Sequence, residues 1–246
     1  MKIKKLEIES KILGRNVCHV EDISDGKAFF KKEASIVSKF NPYYLQCSID
    51  SSDLKTIHAM EEDGFRFVEF RFKKLLDINT FRKIDALAFY PYGIELIMDE
   101  ADFRKAKLLV KESSPDDRFS RDPVIPKELS KKRLQYYLKK SLDNSPNEFI
   151  CGLFNKNTNE LLAIKTGEIK NSDEVTFFHT YLEKNLDKEK YTYMIDALLI
   201  SQFIEKGIQF FYAISSGLNL MEMDLHISDL KYKIVSASVI LRKIYL

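Results

Sequence analysis

The sequence has 246 residues, of which 45% are hydrophobic and 31% are charged. This composition is typical of a globular protein with a packed core, and it excludes an intrinsically disordered chain. The formal net charge is only +2, so charge gives no support to a nucleic-acid-binding protein or a membrane-surface protein. No apolar run approaches the roughly 20 residues that cross a bilayer. The N-terminal residues predict no secretory signal.

The cysteines are few and widely separated. Cys18, Cys47 and Cys151 form no CxxC motif. A sparse, odd set favours reduced thiols in a cytoplasmic protein over a disulfide framework. The His, Cys and Asp residues do not occur at the sequence separations typical of metal ligands, so we expect no bound metal.

Hydrophobic periodicity divides the chain into alternating strands and helices. In the N-terminal part, strands are predicted at 16–20, 43–49 and 65–74, and helices at 25–39 and 51–63. After a linker at 79–91, strands are predicted at 94–98, 149–154, 161–169, 175–182, 209–214 and 233–244. The helices of this part are predicted at 100–111, 126–142, 188–206 and 218–230, with a loop at 113–117. The alternation predicts an α/β protein with two domains, 1–90 and 91–246.

Two segments of the chain share one order of elements. A strand–helix–strand unit at 44–74 is followed much later by a similar unit at 211–241. This repeat suggests that the N-terminal domain is a truncated version of the C-terminal fold.

Three stretches carry a family resemblance, at 45–76 (most clearly at 58–65), 117–126 and 207–241. They resemble the GNAT acetyltransferases, and more narrowly the dTDP-fucosamine acetyltransferases of bacterial surface-sugar synthesis. The resemblance implies an α/β (α+β) fold with a mixed, mostly antiparallel sheet flanked by helices. A smaller strand–helix–strand unit is expected to precede that domain.

The resemblance also implies a reaction. GNAT enzymes transfer an acetyl group from acetyl-CoA directly to an amine, which must lose a proton before it attacks the thioester. We therefore expect acetyl-CoA as the acyl donor and a small-molecule amine as the acceptor, most plausibly an amino sugar carried on a nucleotide. A homodimer is expected from the family, with neither nucleic acid nor a membrane as a partner.

The family holds the CoA pyrophosphate on a glycine-rich turn that begins a helix, where backbone N–H groups and the helix dipole face the phosphates. In this sequence Tyr191, Tyr193 and Ile195 stand at the glycine positions. The residues expected at the CoA site are Leu182, Lys188, Lys190, Tyr191, Thr192, Tyr193 and Asn219.

Two interpretations of this altered turn stay open, beside a third in which the protein is an acyltransferase that binds a different acyl donor without this turn. In the first, Lys188, Lys190, Thr192 and the helix N-terminus still hold the phosphates. In the second, the tyrosines fill the phosphate site, and the protein is a catalytically inactive GNAT-like binding or structural protein. The state of the cleft between strands 175–182 and 209–214 distinguishes them, because tyrosine side chains inside that cleft would exclude CoA.

The catalytic candidates are His226, His179 and Tyr181. The resemblance places Ile227 where the family often has a tyrosine that acts as the general acid, and His226 is adjacent to this position. His179 and Tyr181 lie on the strand that would face the substrate. A histidine has a pKa suited to proton transfer near neutral pH, although each histidine is also compatible with a structural role.

The substrate candidates are Arg118, Arg121 and Asp122. They resemble part of the family's substrate-side loop, and arginine side chains match the geometry of phosphate. The alternative is a local pair between Arg118 and Asp122 that shapes the loop.

Overall fold

Ten strands form one sheet in the computed structural model, which describes residues 2–21, 23, 25–112, 118–143 and 147–245. The loop predicted at 113–117 lies outside these ranges. The strands are β1 (Lys2–Lys5), β2 (Val17–Glu21), β3 (Tyr44–Asp50), β4 (Arg66–Leu76), β5 (Tyr92–Leu96), β6 (Glu148–Asn155), β7 (Glu160–Ile169), β8 (Glu174–Leu182), β9 (Phe210–Ser216) and β10 (Tyr232–Ile244). The helices are α1 (Glu7–Leu13), α2 (Gly26–Phe40), α3 (Leu54–Glu62), α4 (Glu100–Glu112), α5 (Arg118–Arg121), α6 (Lys127–Asp143), α7 (Lys188–Glu205) and α8 (Leu220–Asp224).

The strand order is β1-β2-β3-β10-β4-β9-β8-β7-β6-β5. Only the β2–β3 and β8–β9 pairs are parallel among the described strand pairs, and the others are antiparallel. The predicted mixed, mostly antiparallel sheet flanked by helices is therefore confirmed.

In the middle of the sheet, strands from the N-terminal part of the chain alternate with strands from the C-terminal part. Strand β10 lies between β3 and β4, while β4 lies between β10 and β9. The units β3–α3–β4 and β9–α8–β10 thus each place their last strand in the other's part of the sheet. The division of the chain into domains 1–90 and 91–246 remains a prediction, because this sheet runs through both.

Alternation along the strands separates two layers of helices. Helix α7 packs on one face through a core that contains Phe177, Leu199 and Phe211, and α2 and α3 cover the same face beside it. On the opposite face, α4 and α6 cover Ile150 and Ile164. The sheet is therefore buried on both sides over its C-terminal part.

The structure differs from the predicted elements at the N-terminus and in the last predicted helix. The N-terminal residues form β1 and α1, which the weak pattern did not predict, because β1 has a single apolar residue at a sheet edge. The predicted helix at 218–230 is split into α8 and a π-helical turn, Leu225–Asp229. Such turns often occur at functional sites, and this one buries His226.

Candidate functional site

Strands β8 and β9 separate partway along their length. They pair in parallel from Glu174 opposite Phe210 to Phe177 opposite Ala213, and no further pair joins the described residues beyond that point. Strand β8 has one extra residue where it pairs with the stretch of β7 between Lys165 and Gly167. This residue forms a bulge close to the point where β8 and β9 separate. The divergence opens a cleft between the end of β8 and the end of β9.

This cleft has a volume of about 390 Å³. Its walls come from the end of β8 and the following loop, the first turns of α7, the end of β9 and the start of α8. Among the residues predicted to bind CoA, the cleft is lined by Leu182, Lys188, Thr192 and Asn219.

Neither tyrosine at the altered turn lines the cleft. The Tyr191 ring packs edge-on against Tyr92 at 5.7 Å between centroids, and the two hydroxyl groups are 3.3 Å apart. Tyr193 packs against Phe89 at 6.3 Å, and Ile195 lies in the core. The backbone at the glycine positions is helical, so these side chains leave the helix away from the cleft.

The N-terminus of α7 keeps part of an anion-binding arrangement. Lys188 lies at the cleft, and the buried Thr192 hydroxyl lines it without a hydrogen-bond partner in the described part of the chain. Asp187, however, caps the helix and accepts a hydrogen bond from the Lys190 backbone N–H at 3.1 Å. Its carboxylate uses one N–H group and adds a negative charge where phosphates would bind. Lys190 itself lines a separate surface cavity with Tyr193.

A buried ion pair lies behind the cleft. The Lys165 ammonium on β7 contacts Asp196 of α7 at 2.9 Å, and both side chains are almost fully buried. Lys165 also donates to the Thr180 hydroxyl at 2.7 Å. Burial by itself would raise the pKa of Asp196, but Lys165 and His226 hold this pKa below its ordinary value.

Asp196 is one end of a hydrogen-bonded chain of three side chains. His226 Nε2 lies 2.9 Å from Asp196 Oδ2, and His226 Nδ1 lies 2.6 Å from Lys74 Nζ. A charged lysine offers only donors, so Nδ1 accepts from Lys74 while the Nε2–H group donates to Asp196. Burial lowers the pKa of His226, which agrees with a neutral imidazole between the two charged groups.

The buried chain reaches the cleft through α8 and β9. Lys74 Nζ donates to the Ser215 hydroxyl at 2.7 Å, and Ser215 donates to Glu222 Oε1 at 3.2 Å. The other Glu222 oxygen accepts from Asn219 at 2.6 Å. Ser215, Asn219 and Glu222 all line the cleft. The cleft therefore presents a carboxylate connected by hydrogen bonds to a buried Lys–His–Asp chain.

The Lys74 amine gives the protein a pH-dependent stability. Burial lowers the pKa of Lys74 from 10.5 to about 8. Between these values the unfolded chain binds a proton that the folded protein does not, so the free energy of unfolding rises with pH through this window. Relative to Lys74→Met, we expect the wild-type protein to gain about 1 to 3 kcal/mol. Urea unfolding below pH 8 and near pH 10 measures this gain.

Lys73→Met, on the opposite face of the same strand, is the matched control for the lysine replacement. The same change in unfolding free energy with pH in the wild-type protein and in Lys74→Met would contradict a lowered pKa for Lys74.

His179 and Tyr181 both line the cleft. The His179 side chain is exposed, and its ring lies 6.0 Å from that of Tyr181. Tyr181 is buried against α4 and α6. The structure thus brings His179, Tyr181 and Asn219 to one cleft and places His226 in the buried chain behind it.

The predicted substrate residues lie elsewhere. Arg118 donates to Gln46 at 3.0 Å and pairs with Glu69 at 3.3 Å. Asp122 is bound by Arg242 at 3.0 Å and by the Tyr44 hydroxyl at 2.9 Å, which takes the place of a local pair with Arg118. Arg121 is exposed at the end of α5. These residues lie near the N-terminal strands and do not line the cleft.

The sequence reasoning did not select Lys74, Lys165, Asp196 or Glu222. One signal was present, since Lys165 follows Leu161–Ile164 and Asp196 is flanked by Ile195 and Ala197, all of them apolar. A charged residue inside an apolar segment is buried at high cost unless it has a partner. Among the described residues no group of His, Cys, Asp and Glu suits a metal ion, and no described helix has the length and apolarity needed to cross a bilayer.

Comparison with known proteins gives structural matches without sequence matches. No family profile matches the chain, and no curated protein matches its sequence. A conserved protein of unknown function from Staphylococcus epidermidis is similar in structure, with a TM-score of 0.66 and 10% identity over 94% of this chain and 85% of that one.

Two acetyltransferase-related structures are also similar. A GCN5-related N-acetyltransferase from Sphaerobacter thermophilus has a TM-score of 0.64 at 11% identity, over 98% of this chain and 76% of that one. A tandem GNAT protein from the clavulanic acid biosynthesis pathway has a TM-score of 0.57 at 11% identity, over 93% and 75%. The chain therefore has the fold of the GCN5-related N-acetyltransferases.

Proposed function

We propose that this chain is an acyl-CoA-dependent N-acetyltransferase that acts on the amine of a small molecule. The observation that carries the proposal is the open cleft between β8 and β9, from which Tyr191 and Tyr193 are absent. Bound acetyl-CoA would supply an acetyl thioester at that cleft. The carbonyl carbon gains a bond to the amine nitrogen while its bond to sulfur breaks. The nitrogen loses one proton, and the CoA thiolate that leaves gains one.

The residues of the cleft suit this proton transfer. Glu222 presents its carboxylate to the cleft and takes the proton of the amine, while Asn219 and Ser215 hold its two oxygens. The Lys74–His226–Asp196 chain fixes Ser215 and supplies charge behind it. Thr192 and Lys188 would contact the CoA moiety from the α7 side.

Calorimetric titration with acetyl-CoA, and with free CoA, tests the proposal. Lys188 and Lys190 lie on the same turn of α7, but only Lys188 lines the cleft. We expect micromolar binding by the wild-type protein and at least a tenfold weaker affinity in Lys188→Glu, since reversing one contact with a phosphate removes a charge-assisted hydrogen bond worth about 1.5 to 3 kcal/mol. Lys190→Glu is the matched control and should bind more tightly than Lys188→Glu.

Absence of heat with both ligands would overturn the acetyltransferase proposal. It would favour the second candidate, a GNAT-like binding or structural protein without catalytic activity. The Asp187 carboxylate at the start of α7, together with the missing glycines, is the observation that supports this alternative.

The acceptor class is part of the proposal. The resemblance to dTDP-fucosamine acetyltransferases makes a nucleotide-linked amino sugar the first acceptor to assay, by release of the CoA thiol. A homodimer and a cytoplasmic location belong to the same proposal, and gel filtration with light scattering tests the first of them.

A further inference from the structure

A second cavity, of about 730 Å³, lies over the N-terminal strands. It is formed on the face of the sheet that carries α1, α5 and α6. Arg71 of β4, Arg118 of α5, His19 of β2 and Glu9 of α1 all line it. The cavity is therefore large enough for a small metabolite and is rich in charged groups.

Most charges in the wall of this cavity are compensated locally. Arg118 pairs with Glu69 at 3.3 Å, and Glu9 accepts from the Tyr137 hydroxyl at 2.7 Å. Arg71 differs, because its guanidinium donates to the neutral Ser48 hydroxyl at 3.2 Å and forms no ion pair with any carboxylate of the described ranges. Arg71 is thus a partly buried cation without a direct counter-charge.

The electrostatic environment of Arg71 includes a second arginine. Burial, followed by the neighbouring Arg118, lowers the pKa of Arg71, and the smaller contributions of Glu69 and Glu21 act in the opposite direction. Burial, followed by the same two arginines, lowers the pKa of His19 to about 4. His19 Nδ1 is buried without a hydrogen-bond partner among the described residues. A bound anion offsets the repulsion between the two arginines and offers a hydrogen-bond partner to an unpaired ring nitrogen.

The cavity and the cleft are neighbours on the same face of the sheet. Asp50, Ser238, Arg71 and Ser216 lie opposite one another on β3, β10, β4 and β9. Directly paired residues point to the same face of a sheet. Arg71 lines the cavity, and Ser216 lines the cleft. Neighbouring strands are about 4.8 Å apart, so one strand spacing separates Arg71 in the cavity wall from Ser216 in the cleft wall.

We propose that this cavity binds the anionic group of the acceptor, held by Arg71 with Arg118 beside it, while the acceptor amine reaches the cleft along the β4–β9 ladder. The acceptor is then an amine that carries a phosphate or a carboxylate. This assignment of substrate class rests on the proposed acetyl transfer, whereas anion binding by the cavity is measurable without it.

The first experiment measures anion binding directly. Inorganic phosphate and malonate are titrated at constant ionic strength, with thermal unfolding and calorimetry as readouts. We expect Arg71→Gln to bind the preferred anion at least tenfold more weakly than the wild-type protein, and Arg71→Lys to recover part of the affinity. Arg66→Gln, an exposed arginine on the same strand, is the matched control. Without anion, Arg71→Gln should unfold at the same temperature as the wild-type protein or higher, which also shows that it folds.

The second experiment identifies the source of the anion. Glucosamine phosphate is compared with glucosamine, and β-alanine with propylamine, as ligands and as acetyl acceptors. Preference for glucosamine phosphate over glucosamine indicates that the cavity binds a phosphate. Preference for β-alanine over propylamine indicates that it binds a carboxylate. Equal anion affinity of wild-type protein and Arg71→Gln, or no preference for either charged member, would overturn the inference. Unchanged acetyl-CoA affinity in Arg71→Gln separates that failure from a failure of the proposed acetyl transfer.

Discussion

Replacing Lys165 with methionine is expected to lower the free energy of unfolding by about 3 to 5 kcal/mol, the cost of leaving a buried charge without its partner. The Lys165 ammonium lies 2.9 Å from Asp196, and both side chains are almost fully shielded from water. Methionine fills a similar volume, so the loss reports the uncompensated carboxylate and not a cavity. Urea unfolding followed by circular dichroism measures it.

The control for Lys165 is an exposed ion pair. Lys170 pairs with Glu174 at 3.5 Å on the surface, so Lys170→Met should cost about 0 to 1 kcal/mol. The double variant Lys165→Met/Asp196→Asn should recover much of the lost stability, because it removes the orphaned charge. A loss in Lys165→Met no greater than in Lys170→Met would show that the pair is not buried as described.

Replacing Glu222 with glutamine is expected to reduce the turnover number by about a hundredfold to ten-thousandfold, the usual contribution of a positioned general base. Glutamine retains the shape of the side chain, so the affinity for acetyl-CoA should stay within about threefold of the wild-type value. Release of the CoA thiol gives the turnover number, and calorimetry gives the affinity.

Asp224→Asn, on the same helix, is the control for the loss of one carboxylate. Its side chain accepts from Ser228 at 2.7 Å and does not line the cleft, so its turnover should be close to that of the wild-type protein. Full turnover in Glu222→Gln would remove Glu222 from the reaction and leave His179 and Tyr181 as the candidates to test next.

The sequence was most informative where one periodicity extends over a whole element. Alternation at 65–74 predicted β4, and the apolar segment at 188–206 predicted α7. It was least informative for β1, which is short and mostly exposed. The parallel pairing of β8 with β9, and the insertion of β10 between β3 and β4, depend on contacts between distant segments, which local patterns do not encode.

The candidate site was predictable only in part. The family resemblance predicted seven residues at the CoA site. Leu182, Lys188, Thr192 and Asn219 line the cleft, whereas Lys190, Tyr191 and Tyr193 do not. Of the buried Lys74–His226–Asp196 chain only His226 was predicted, because the members come from β4, α7 and the π-helical turn, and each is an isolated polar residue in its own segment. Their complementarity exists only after folding brings Lys74, Asp196 and His226 together.

The interleaving of β4 and β10 has a consequence for biosynthesis. Until β10 emerges from the ribosome, the adjoining edges of β3 and β4 have no strand between them, and open edges of this kind invite pairing with other chains. A fragment that ends after β4 would keep both edges permanently, and would be prone to aggregate or to exchange strands with a second copy. Closure of the sheet therefore waits for β10, which is synthesised after the other nine strands, and the nascent protein depends on that strand, or on a chaperone, for protection.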